Sequence, residues 1–323
     1  MRILTLAALA ASLFLAVPAI AKDTGLIFVS NEKSHDIHVF DREFNLVKKI
    51  ETSRRPRDMK MNKERTLLFV ACGDDDVIDV IDIATLEVVD GIPTGPSPEV
   101  FAFSPDEQFI YVSNEEDSMM EVIELESRIV MHDIPTGAEP EGVIAANDGK
   151  TVYVTSEIAD MVHVVDAGEY VVTDNIIVGT RPRRFVLTPD TNELWVSAEL
   201  SSEIYVIDRA TNEIKEVLTF LPPGFRPEDV TPVGIALTRD GKTGIISLGR
   251  ANHVAVIDAI SKEIISYVLV GKRAWSVALT RDEKVAVVAN GLSDDITLID
   301  METLRPIRSI PAGRVPHTVV IDD

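Results

Sequence analysis

Two marker residues that recur with a period near 42, in a chain that starts and stops part-way through its repeat, predict an all-β fold, a seven-bladed β-propeller. The first marker is the acidic residue closing each third strand-like run: Asp41, Asp82, Glu124, Asp166, Asp208, Asp258 and Asp300, in steps of 41, 42, 42, 42, 50 and 42. The second is a turn proline: Pro56, Pro98, Pro140, Pro182, Pro232, then Ala274, then Pro316, in steps of 42, 42, 42, 50, 42 and 42. Both place one eight-residue insertion in the same connection, around LPPGFRPEDVTP at 221–232.

Each unit reads as four strands. An inner strand follows the turn, as at Val100 to Phe103 or Ile235 to Leu237. Turns of the SPDEQ, NDGK or TRDGK type supply the Pro, Asp and Gly that reversals need. Second strands such as LIFVS, FIYVS, TVYVT and ELWVS are rich in β-branched and aromatic residues, as are third strands such as VIDVID and DITLID. The chain opens on a second strand (Leu26 to Ser30) and ends on an inner one (Thr318 to Ile321), so the last strand is expected to complete the first blade. Ring closure of this kind removes the exposed end of a linear repeat array.

Residues 1–21 read as a secretory signal: Arg2, an apolar run to Val17, and a small-x-small site at Ala19-Ile20-Ala21. The remaining 22–323 is expected to be one domain, periplasmic or secreted, monomeric and with no further membrane span. Cys72, the lone cysteine, allows no internal disulfide and no Cys-x-x-Cys-His haem attachment. A formal charge of −22, or −23 once Arg2 leaves with the signal, argues against nucleic acid and anionic lipid as partners.

Second strands Ile110-Tyr111-Val112-Ser113-Asn114 and Val152-Tyr153-Val154-Thr155-Ser156 resemble the motif of the YVTN-repeat β-propellers. SRRPRDM, GPSPEVFAFSPD, GFRPEDVTPVGIALT and GKRAWSVALT resemble, more narrowly, the propellers associated with pyrroloquinoline quinone (PQQ)-dependent catabolism. The resemblance implies an exported accessory protein of quinoprotein alcohol oxidation, with a quinoprotein dehydrogenase or a cytochrome c as partner. It carries no catalytic motif onto this chain.

The residue after each turn proline is expected to ring the channel mouth: Arg57, Glu99, Glu141, Arg183, Val233, Trp275 and His317. Seven residues of such different types at one repeat position suggest an asymmetric surface. Arg54, Arg55, Arg181, Arg184, Arg273 and Arg314 are expected on the same rim. One reading is an Arg–Glu ring with Trp275 as packing. Another is a pocket for a planar carboxylated ligand such as PQQ, with guanidinium forks for carboxylates and an indole for stacking. The loops between second and third strands add Glu32, Asp74, Asp75, Asp76, Glu115, Glu116, Asp117, Glu157 and Glu199 to this face, with no EF-hand spacing and no expected metal. A non-enzymatic binding protein is the preferred function. The alternative is a lactonase-like hydrolase with His317, Glu99 or Glu141 as base and Arg57 or Arg183 at the oxyanion.

Overall fold

A computed structural model describes residues 23–323; the expected signal lies outside them. Seven four-stranded antiparallel sheets form the blades, and the only helical element among these residues is one 3-10 turn, Pro227–Asp229, inside the insertion. Blade 1 consists of Pro316–Asp322, Leu26–Asn31, Asp36–Phe40 and Leu46–Glu51, in that order from the axis outward. The expected seam is there, with Ile27 opposite Ile321, Phe28 opposite Val320 and Val29 opposite Val319. The inner strands of blades 2 to 7 are Pro56–Met61, Pro98–Phe103, Pro140–Ala145, Pro182–Leu187, Ile235–Leu237 and Ala274–Leu279.

There is no single core. Apolar side chains gather in seven clusters, each shared by two neighbouring blades. Phe28 packs toward Met59, Leu68 and Val70 of blade 2, whereas Ile27 and Val29 pack toward Val287 and Leu298 of blade 7. Second strands are therefore buried on both faces, which is why they read as continuous apolar runs rather than alternating ones. Trp195, Phe28, Tyr111 and Tyr153 sit there as inter-blade packing. Cys72 is buried among the same residues, and burial, with Asp79 beside it, pushes its thiol well up. The insertion closes over the blade 5–6 cluster through Phe220, Phe225 and Val230.

One irregularity positions the site. The inner strand slips register against the second strand just after the turn residue, between Pro56 and Met59 and likewise in blades 3, 4, 5 and 7. Such a bulge lets two consecutive residues oppose one and re-aims both side chains. The Ser or Thr of the YVTN-like strand secures it. Thr155 Oγ1 accepts from Gly142 N at 2.6 Å and donates to Arg183 O of the next blade at 3.3 Å. Ser113 and Ser247 bridge the same two places. The hydroxyl therefore satisfies a displaced backbone N–H and ties neighbouring blades together.

Candidate functional site: the channel mouth

Bulged strands turn Arg57, Glu99, Glu141, Arg183, Trp275 and His317 to the axis, Val233 takes the equivalent place just ahead of the blade 6 inner strand, and none is more than 9% exposed. The structure thus brings the expected mouth residues together as a closed plug rather than an exposed rim. The residue before each turn proline, or before Ala274, adds a second tier. Arg55, Arg181 and Arg273 hold φ of 61°, 62° and 61°, a left-handed turn geometry that directs their chains inward.

Ion pairs run around the plug. Glu99 meets Arg57 and, at 2.9 Å, Arg55. Glu141 lies 3.7 Å from Arg57, 3.1 Å from Arg183 and 2.6 Å from Arg184. Arg183 continues to Glu157 at 2.5 Å and Glu199 at 2.9 Å, and Arg181 and Arg273 reach the same two carboxylates at 2.7 and 2.9 Å. Glu157 and Glu199 do come from the loops on this face, but unlike the exposed acids of blades 2 and 3 they are core members of the network, 3% and 1% exposed. The signal for them was present, since each follows its second strand one blade or less from the arginines of RPRR.

His317 closes the circuit. Its Nε2 accepts from Trp275 Nε1 at 2.6 Å and Arg57 Nε at 3.2 Å. Both donors need its lone pair, so the proton sits on Nδ1, which faces Thr318 Oγ1 at 2.9 Å. Burial first, then Arg57 and Arg184, hold the imidazole well below its usual range. Trp275 has Arg183 and Arg273 over its ring, at 5.2 and 4.9 Å from the centroid.

The carboxylates are pushed apart. Burial acts to raise Glu141, yet Arg184, Arg183 and Arg57 hold it well below the carboxylate range. Burial, with the Glu141 charge beside it, pushes Glu157 up to about 7. Separated values of this kind mark acid–base sites when a reactant can reach them. Here both groups are buried under guanidinium, and the His317 lone pair is already occupied. In this arrangement His317, Glu99, Glu141, Arg57 and Arg183, the residues expected for a lactonase-like reaction, are paired within the plug. PQQ finds no better fit, because the guanidinium forks and the indole faces it needs already serve one another.

The second- and third-strand loops do lie on this face, beside the plug. Asp74, Asp75, Asp76, Glu116 and Asp117 are exposed and Glu115 half-buried. Asp75 pairs with Arg54 at 2.6 Å, Glu115 stands 3.6 Å from Arg55, and Asp76 accepts from Ser97 N. Arg314 is exposed at the edge. Among the described residues no group of three or more His, Cys, Asp or Glu is placed to hold a metal, and no helix is long and apolar enough to cross a membrane.

Two family models match parts of the chain: the YNCE-like beta-propeller over residues 10–151 and the cytochrome D1 heme domain over 229–319. No curated protein matches. Among solved structures, Kuenenia stuttgartiensis hydrazine synthase superposes with a TM-score of 0.77 at 21% identity, covering 86% of this chain and 93% of that one. The dihydro-heme d1 dehydrogenase NirN, solved in complex with DHE, gives 0.68 at 18% identity over 90% of this chain and 64% of its own. A putative 6-phosphogluconolactonase from Bacteroides uniformis gives 0.77 at 15% identity, over 92% and 99%. At these identities the likeness is one of fold. The chain is a seven-bladed β-propeller.

Proposed function

We propose that the protein is an exported, non-enzymatic binding propeller that serves PQQ-dependent alcohol oxidation by docking a basic electron-transfer partner, of the cytochrome c kind, on its loop face. One observation carries the reading. The mouth residues bury their charges against one another, and the acids that reach solvent on this face gather in the border of Asp74–Asp76 and Glu115–Asp117, where Asp75 also pairs with Arg54. Opposite fields steer encounter and raise association rates. The partial match to a cytochrome D1 heme domain and the NirN likeness support a redox setting, as does the family that the turn motifs resemble. The plug offers haem d1 no free imidazole ligand, because His317 Nε2 already accepts from Trp275 and Arg57.

The test is stopped-flow association with a lysine-rich cytochrome c across a salt series. With a screening length of about 8 Å at physiological ionic strength, the association rate should fall steeply as salt rises. Replacing Asp74, Asp75, Asp76, Glu115, Glu116 and Asp117 by their amides should slow association at least tenfold and change dissociation less. A rate indifferent to both salt and these substitutions overturns the proposal.

A further inference from the structure

We infer that the central channel beneath the plug is a cup that binds a short-chain monocarboxylate. The inner strands enclose a cavity of about 310 Å³ along the axis, at the small end of the range for small-molecule sites. One end is shut, since the mouth residues above it are buried. At the other end the lining residues Lys60 and Ile144 are part-exposed, so solvent enters from the face opposite the loops.

Comparison of repeat positions locates the chemistry. One residue beyond the mouth, Arg184 stands as the one cation in a ring of Asp58, Val100, two glycines, Ser276 and Thr318. Two residues further, Lys60 stands in a ring otherwise made of alanine, valine and isoleucine. Blades 2 and 5 carry these cations, on opposite sides of the sevenfold ring. Glu141 takes one Nη of Arg184, and the other makes only a 3.5 Å contact with His317. Lys60 gives one hydrogen bond to Asp58 at 2.6 Å and keeps two donors. Ser276 Oγ, in the same wall, is buried without a partner. Val100, Ala102 and Ile144 supply apolar wall between these groups.

Half-engaged donors on two adjacent rings, Arg184 and Ser276 on one and Lys60 in the apolar belt below, suit a single negative charge bearing a short hydrocarbon tail. A dianion such as phosphate would face Asp58 and Glu141 with too little positive charge in reserve.

Calorimetry on the full chain with straight-chain monocarboxylates from acetate to octanoate tests this. Affinity should rise about fourfold per methylene and fall once the tail outgrows the cup. Inorganic phosphate and the primary alcohols of equal length should bind at least tenfold more weakly than the best acid. Arg184→Met should weaken binding at least tenfold, although it also strips Glu141 of a partner. Ala102→Phe removes no charge, fills the belt, and should abolish binding while leaving the fold's circular dichroism unchanged. Absence of saturable binding by the unsubstituted protein, binding unaffected by Ala102→Phe in a folded variant, or phosphate binding as tightly as the best acid overturns the inference.

Discussion

Glu141 and Glu116 come from neighbouring blades and the same face, yet they live in different solvents. Glu141 is 1% exposed and surrounded by Arg57, Arg183 and Arg184, whereas Glu116 stands in water. Removing an ion from water costs several kcal/mol even after relaxation, so an intact buried network adds little net stability but is expensive to break. An exposed carboxylate costs almost nothing to remove and remains free to meet a partner. The plug is thus a device for holding seven blades in one arrangement, and the border beside it is where charge is available to other molecules.

Four experiments break or sharpen that contrast. The largest effect should come from Glu141→Leu, which leaves three guanidiniums short of a counter-charge; a loss of about 3–5 kcal/mol is expected in denaturant unfolding. Next is pH. A carboxyl raised to about 7 from 4.5 keeps its proton in the folded state while the unfolded chain has lost it, so Glu157 makes stability fall as pH rises from about 4.5 to 7. His317, held well below 6.5, acts in the opposite sense: the unfolded chain takes up a proton first, and stability falls as pH drops below 6.5. Glu157→Gln should remove the first trend and leave the melting temperature rising with pH between 5 and 7; the Glu157 contribution is at most about 3 kcal/mol. A profile identical to the unsubstituted protein would show that Glu157 ionises normally. Trp275→Phe keeps an aromatic ring between Arg183 and Arg273 but loses the donor to His317, for about 1–2 kcal/mol; His317 should then titrate differently by NMR. Smallest is the replacement of the six border acids by amides, which should leave the thermal midpoint nearly unchanged while slowing association. A large drop in midpoint would mean that the border is structural after all.

The fold was legible because a propeller repeats its core. Each unit must present the same buried faces to its neighbours, so Val, Ile and aromatic residues return at fixed spacing, and the seam followed from where the period is cut. The mouth was legible only as a set of residue types. That Arg57 and Glu99 would be buried depends on the bulge and on how closely the blades approach, and neither is local to one strand. Glu157 and Glu199 resembled the exposed acids of blades 2 and 3 because all of them come from the loops between second and third strands. What separates them is Arg183 and the arginines flanking it, which come from the adjoining turns.

The seam has a consequence for how the molecule comes into being. Thr24 and Gly25 bind Asp322 from 298 and 297 positions away, and Arg65 of blade 2 grips the same carboxylate at 2.6 Å. Until that segment has been synthesised, the apolar strand LIFVSN of blade 1 has a bare edge, of the kind that recruits other strands. Contacts so distant in sequence form late and slowly. Blades 2 to 7 can assemble as their strands emerge, but the circle is fastened last, by one short strand from the far end of the chain.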